Sequence, residues 1–365
     1  MFLSCLWDSD TLAEEAAGRG EEVKVMVGWF DRNPAEYYQM RLSRVRGELK
    51  EKPEDLALYD DAAVALERLH RSREAIEIMA QKKRVLDTLP ESEAKEEHTY
   101  RYYANLGTFY AHAWFSQAPE ARLKNTAELS KAESLIEKAI ELNEDAHFGR
   151  EKYQLMALQW LNPAHEERYK ELSSDLDRIS LMAFDPAPEV AKKGEAAEGL
   201  AGLIRLGAAW RSIDVYTALV EVYQEQNRAS LAYIAQLRVN ELAGSGLKSA
   251  HYNPKTAQEV MSYVGKSTPR KTKPLEEWYG KARAAANDRH VARTSYMQKK
   301  MAKGMHPDTH AYFWDGWKEP DFPRIHYSLV PKTERSEMKW ILIGGALVTG
   351  VTLIVMIQIK RKARS

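Results

Sequence analysis

The sequence predicts an all-α protein with a membrane segment near its C-terminal end. Helix-favouring residues dominate, as in the stretch LEEWYGKARAAA at 275–286. Strand signals are sparse, because alternating Val, Ile and Thr residues are few and no Asn-Gly hairpin turn occurs. Residues 340–359 carry no charge, and a helix of this length spans about 30 Å, the thickness of a bilayer core.

The composition limits the classes of function. Lys and Arg number 53, as do Asp and Glu, so the whole chain has no charge excess that would attract nucleic acid. Charged residues make up 29% and aromatic residues 10% of the chain, which is typical of a folded protein. The single cysteine, Cys5, excludes an intramolecular disulfide and a tetrahedral cysteine zinc site.

Residues 1–33 form an N-terminal segment with one candidate modification site. Leu3, Ser4 and Cys5 have the local pattern of a bacterial lipoprotein site, in which the cysteine receives lipid. The basic and long apolar regions of a signal peptide do not precede it. Either the given start lies inside a longer precursor, or Cys5 is a buried free cysteine in a first helical turn.

Residues 34–262 carry a recurring helix-turn-helix pattern. Pro34 suits the start of a helix, and a first hairpin after Pro53 carries large and small residues at fixed steps. Small residues are needed where helices cross about 8–10 Å apart. The positions of this first copy are Tyr59, Ala62, Ala63, Leu66 and Ala75.

Two further copies follow. The second has Tyr103, Leu106, Gly107 and Tyr110 on its first helix and Ala132, Ile136 and Ala139 on its second. About a dozen surplus residues near 116–129 separate these helices, and we interpret them as an insertion that adds surface for binding specificity. The third copy has Tyr216, Leu219, Tyr223 and Ala232.

These spacings resemble the tetratricopeptide repeat, a helical hairpin that stacks into a superhelix. The resemblance covers residues 53–161 and 212–246. It implies a concave groove that holds a peptide or protein partner, and no catalysis and no cofactor. The residues expected to line the groove lie on first helices, away from the repeat-defining positions: Asp60, Asp61, Asn105, Thr108 and His112.

Residues 263–274 are basic and contain proline, and a long helix is predicted over 275–304. Binding of nucleic acid is one interpretation of the basic segment. We favour a solvated linker, because no aromatic residues interleave with the charges.

The membrane-proximal segment 305–339 is rich in aromatic residues and proline and holds a candidate metal site. His306, Asp308 and His310 alternate, which would place all three on one face of an extended segment. The alternative is a loop that begins at Pro307. The metal site would make the chain a metal-binding protein or metal-dependent enzyme.

Residues 340–359 are predicted to cross a membrane, followed by the basic tail 360–365. The positive-inside rule favours a cytoplasmic C-terminus, with the repeats outside a bacterial cell membrane, in the periplasm. A tail anchor with cytosolic repeats is the rival. Ala346 and Gly350 offer a small-residue face through which two copies could pair.

The leading functional hypothesis is a membrane-tethered interaction scaffold without enzymatic activity. The sequence has no GxSxG, P-loop, GxGxxG, HExxH or CxxC motif. Besides the metal alternative, a purely structural envelope protein remains open, with lipid on Cys5 at one end and the membrane helix at the other.

Overall fold

A computed structural model describes residues 22–144, 150–166, 195–206, 209–266 and 272–324. Every regular element in these ranges is a helix, so the prediction of an all-α fold is confirmed for the described part of the chain. Cys5, the predicted membrane segment 340–359 and the basic tail lie outside it. No helix among the described residues is long and apolar enough to cross a membrane.

The described chain begins with two helices, α1 (Glu22–Val27) and α2 (Ala35–Glu51). Pro34 directly precedes α2 in an extended conformation, so it lies one residue before the first helical position that the sequence predicts for it. Between them, Gly28 has a φ of 83°, and a Cβ there would lie 2.5 Å from the Trp210 ring. The turn therefore requires glycine for both conformation and space.

The first predicted hairpin consists of α3 (Leu56–Arg68) and α4 (Ser72–Leu86). Asp55 caps α3, since its carboxylate accepts a hydrogen bond of 3.1 Å from the Ala57 N–H. His70 in the turn has a φ of 60°. The small residues of the pattern, including Ala75, are fully buried where the helices pack together.

The second hairpin pairs α5 (Glu93–Phe115) with α7 (Ala127–Leu142), and α6 (Pro119–Lys124) lies between them within the predicted insertion. Gly107 lies at the contact of α5 with α7. A Cβ there would come 2.8 Å from Cδ1 of Ile136 and 3.1 Å from the carbonyl oxygen of Ala132. The crossing therefore requires the small residue that the pattern predicts.

The helices α8 (Arg150–Leu161) and α9 (Glu195–Arg205) lead to a third hairpin, α10 (Ile213–Glu225) and α11 (Ala229–Gly244). Its turn repeats that of the first hairpin. Asn227 has a φ of 57°, matching His70 at 60°. The Arg228 N–H bonds to the Tyr223 carbonyl at 2.7 Å, as the Arg71 N–H bonds to Leu66 at 2.9 Å. Both are left-handed C-caps of the same kind.

The last helices are α12 (Pro254–Ser262) and α13 (Thr272–Met301). The long helix thus begins before its predicted start at residue 275, because Pro274 is accommodated in a first turn. It ends three residues before Gly304, which has a φ of 77°. α13 packs against α11 and also against α1 and α2, so the two ends of the described chain meet.

The core has two main parts that share α5. One part is formed by α2, α3, α4 and α5 together with Leu135 of α7, and includes Leu106 and Phe109. The other joins α1, α5 and the helices from α7 to α13, and includes Ala111 and Trp114. Since neighbouring helices cover both sides of α5 in this region, its polar residues Asn105, Thr108 and His112 are buried as well.

Candidate functional site

Four of the five predicted groove residues lie in the interior. The exposed fractions are 2% for Asp60, 0% for Asn105, 0% for Thr108 and 4% for His112, whereas Asp61 is half-buried. The buried four lie where α3, α5 and α8 face one another, together with residues of α4. We call this cluster the polar layer; it comprises Asp60, Glu67, Lys82, Asn105, Thr108, His112 and Gln154.

An ion pair lies at one end of the polar layer. Nζ of Lys82 donates to both carboxylate oxygens of Asp60 at 2.7 Å, and the Asn105 amide donates to the same carboxylate at 3.2 Å. Burial opposes the charge of Asp60, but the attraction of Lys82 and the contact with His98 outweigh it and lower the pKa of Asp60. Burial lowers the pKa of Lys82 against the attraction of Asp60. The symmetric contacts are those of an ionised pair.

The layer continues along α5. Nδ1 of His112 contacts the Glu67 carboxylate at 2.5 Å. Burial disfavours the charged form of Glu67, yet the neighbouring imidazole outweighs this and lowers the pKa of Glu67. The Gln154 amide of α8 donates to the Thr108 hydroxyl at 2.9 Å. Three helices are thereby joined by specific polar contacts.

These contacts correct the expected geometry. The sequence predicts that the five residues lie on an open face of the first helices, but α3 and α5 pack side by side and bury four of them. Buried polar side chains must find partners within the protein, and Asp60, Asn105, Thr108 and His112 do so. Binding of a partner by Asp61 and the other four residues stays a prediction, and the structure offers no open surface at those four.

His306, Asp308 and His310 lie on a turn after α13 that packs against α2. Nε2 of His306 lies 3.0 Å from the Tyr37 carbonyl oxygen, and its ring stacks on the Tyr37 ring with centroids 4.5 Å apart. Nδ1 of His310 accepts from the His306 N–H at 3.1 Å. Among the described residues, no group of three or more His, Cys, Asp or Glu side chains is arranged to hold a metal ion.

The Asp308 carboxylate binds two arginine side chains. Arg41 donates to it through Nε and Nη2, both at 2.7 Å, and Arg44 donates at 2.8 Å. The Tyr37 hydroxyl adds a bond of 3.0 Å. Burial opposes ionisation, but Arg41, the charge of His306 and the Tyr37 hydroxyl outweigh it and lower the pKa of Asp308 to about 2. The metal-site alternative is therefore not supported at these residues, because two guanidinium groups already neutralise Asp308, the one acid among the three.

The predicted insertion has a defined structure with an exposed apolar tip. Its backbone is held at the Arg122 carbonyl, which accepts a bond of 3.1 Å from the Trp114 indole N–H. The Arg122 guanidinium lies over the same ring, 5.4 Å from its centroid. Gln117 donates to Glu128 at 2.7 Å and closes the loop. Leu123 points outward, with 51% of its surface exposed.

No protein-family model matches this sequence, and neither a curated protein nor a solved structure matches it. The described part of the chain is all-helical, and two of its hairpins, α3–α4 and α10–α11, share the same turn.

Proposed function

We propose that this chain is a non-catalytic scaffold that binds a protein partner, is built from tetratricopeptide-like hairpins and is tethered to a membrane. The observation that carries the proposal is the shared geometry of the hairpins α3–α4 and α10–α11. Both have a left-handed residue at the same point of the turn and a fully buried alanine, Ala75 or Ala232, on the second helix. Stacked repeats of this kind create extended binding surfaces.

The partner surface that we propose is the insertion at 116–129. Its backbone contacts with α5 hold it in place, so presenting Leu123 to a partner costs little ordering entropy. Loops fixed on a rigid scaffold are the usual carriers of binding specificity. In this proposal the buried polar layer has a structural role, because its contacts fix how the first helices α3 and α5 pack.

The tether that we propose is the apolar segment 340–359, which lies outside the described residues. The charges that follow it, including Lys360 and Arg361, favour a cytoplasmic tail and outward-facing repeats. A tail-anchored arrangement is the alternative. Alkaline extraction of membranes distinguishes a spanning segment from a loose attachment: the full chain is expected to stay in the pellet, and a chain ending at residue 339 to leave it.

Site-specific photo-crosslinking tests the partner surface. A crosslinking amino acid at Leu123 is expected to give one discrete protein adduct in cells. The matched control is Leu142 on α7 of the same hairpin, which is also an exposed leucine (48%). No adduct at residue 123, or the same adducts at both positions, would contradict the proposal.

Alanine at Asn105 and His112 separates the two roles of the first helices. Because both side chains are buried, we expect these variants to lower thermal stability while the crosslink from residue 123 persists at temperatures where they stay folded. Loss of the crosslink in a fully folded His112→Ala protein would indicate that the partner binds at the predicted groove and not at the insertion.

A further inference from the structure

Three arginines surround the ring of Trp210. Their guanidinium carbons lie 3.7 Å (Arg238), 5.0 Å (Arg283) and 5.1 Å (Arg32) from the ring centroid. They come from α11, from α13 and from the segment between α1 and α2, so folding brings them together from distant parts of the chain. Like charges this close repel each other, and anions placed among them offset the repulsion.

Two of the three arginines have their anion within the protein. Glu241 pairs with Arg238 at 2.7 Å and with Arg283 at 2.9 Å. Each of them also donates to a backbone carbonyl, Arg238 to that of Trp210 at 3.0 Å and Arg283 to that of Val27 at 2.7 Å. One carboxylate thus serves two guanidinium groups.

Arg32 is different. Within the described part of the chain no carboxylate lies within ion-pair distance of it. Its Nε is buried without a hydrogen-bond partner there, as is Nε of Arg238. Its contacts are the rings of Phe30 and Trp210, each 5.1 Å from the guanidinium carbon. Burial, together with Arg283 and Arg238, lowers the pKa of Arg32 to about 10, so it remains charged at neutral pH.

The acids on the α13 side are already engaged. Asp31 pairs with Arg289 at 2.7 Å and with Arg293 at 3.1 Å, and Glu319 also pairs with Arg289. His290 lies in the same positive surroundings. Burial and the charges of Arg32, Arg293 and Arg289 lower its pKa to about 4, although Asp31 opposes them. Positive charge therefore exceeds negative charge around Arg32.

We propose that Arg32 anchors an anion site beside Trp210 that accepts a phosphate group. The guanidinium is held in place by two aromatic rings and is half-buried. Its fork of N–H donors matches two phosphate oxygens, and the low polarity around it strengthens the attraction. A phosphate dianion suits the surplus charge better than a single carboxylate, because Arg238 and Arg283 share only Glu241. The group can arrive as a free phosphate or as a phosphorylated lipid headgroup.

Calorimetry of the full chain in an uncharged detergent at low ionic strength tests the site, with inorganic phosphate as the probe. We expect saturable binding that Arg32→Gln weakens by about tenfold or more, the effect of losing one charge-assisted contact. The matched control is Arg211→Gln, which removes an exposed arginine next to Trp210 and should leave the affinity nearly unchanged. Equal binding by wild type and Arg32→Gln would overturn the proposal.

Vesicles of phosphatidic acid, compared with neutral vesicles, distinguish the source of the phosphate. Binding of these vesicles that depends on Arg32, without binding of free phosphate, assigns the site to a headgroup. If neither probe depends on Arg32, the proposal is wrong. Should Arg32→Gln fail to fold, Arg32→Lys keeps the charge but loses the fork, and weaker binding than wild type is expected.

NMR titration of His290 reports on the site directly. Phosphate should raise the pKa of His290 in the wild type, because the anion offsets the positive charges around the imidazole. In Arg32→Gln, phosphate should not raise the pKa of His290. A His290 titration that phosphate leaves unchanged in the wild type would contradict binding at this place.

Discussion

Arg41 and Asp308 form a two-point ion pair across 267 residues of sequence, with Nε and Nη2 each 2.7 Å from a carboxylate oxygen. The Arg41 side chain is fully buried, and 14% of the Asp308 side chain is exposed. The pair attaches the turn after α13 to the middle of α2. Together with the packing of α13 on α1 and α2, it joins the end of the described helical array to its beginning.

Asp308→Asn should loosen this attachment. The pKa of Asp308 falls from 3.8 to about 2 on folding, so its stabilisation is complete above pH 4 and is lost as the pH falls through 2. Allowing for partial solvent screening, we expect a loss of about 1–2 kcal/mol in the free energy of unfolding at pH 7. Urea titration measures it, and trypsin cleavage at Lys303 should become faster.

The control for this variant is Asp315→Asn, an exposed carboxylate in the same segment. It should change stability by less than about 0.5 kcal/mol. If both substitutions have the same small effect at pH 7, the Arg41 contact does not hold the segment in place.

Lys82→Met should strongly lower the free energy of unfolding. The variant leaves the Asp60 carboxylate buried without its cation, which typically costs about 3–5 kcal/mol. Adding Asp60→Asn should restore much of the loss, since no buried charge then remains. Chemical denaturation of the single and double variants measures the coupling between the two residues.

The neighbouring Lys83→Met provides the control, because Lys83 is exposed and pairs with Asp87 one turn away on the surface. We expect it to cost less than about 1 kcal/mol. A double variant no more stable than Lys82→Met alone would show that packing, and not the buried charge, dominates at this position.

The hairpins could be predicted because their signals are local. Large and small residues alternate along α3 at helical spacing, and the same pattern returns in α10. Each helix pair can therefore be recognised from its own stretch of sequence. The turns also follow from short-range chemistry: Asn227 tolerates a positive φ because its side chain is short and polar. His70 adopts the same conformation although it carries no such signal.

The polar layer could not be read from single helices. A polar stripe such as Asn105, Thr108 and His112 can face water or a second polar stripe, and its spacing is the same in both cases. The available signal was the match between helices. Asp60 bonds to Asn105 and Glu67 to His112, each 45 residues apart, so the two stripes are in register. The partners of Asp308 lie 264–271 residues away, and no local pattern indicates them.

Gly107→Leu should disrupt the second hairpin. A larger side chain meets Ile136 and the backbone of Ala132, and the backbone cannot yield cheaply, so we expect a loss of about 3 kcal/mol or more from overpacking. Gly47→Ala on α2 is the control, since a Cβ there has nothing within 4 Å. It should stabilise the protein by about 0.5–1 kcal/mol through helix propensity. If Gly107→Leu behaves like Gly47→Ala in thermal unfolding, the crossing is not tightly packed.

Asp214→Asn should stabilise the protein at neutral pH. Asp214 lies in the first turn of α10, where Oδ2 accepts a bond of 3.0 Å from the Ala250 N–H, while the buried Oδ1 has no partner in the described part of the chain. Burial raises its pKa from 3.8 to about 6. The folded state therefore holds the proton more tightly than the unfolded state, and stability falls as the pH rises from 4 through 6.

Above pH 7 the buried charge of Asp214 costs about 2–3 kcal/mol by linkage, and the asparagine variant avoids this cost while keeping the acceptor for Ala250. The two proteins should be equally stable near pH 4, and the variant should be more stable at pH 8, as measured by urea unfolding across the range. Glu225→Gln, at the exposed end of the same helix, controls for the change in net charge. A loss of stability in Asp214→Asn at every pH would mean that the carboxylate is needed in its charged form, with a cationic or hydrogen-bonding partner that outweighs its burial.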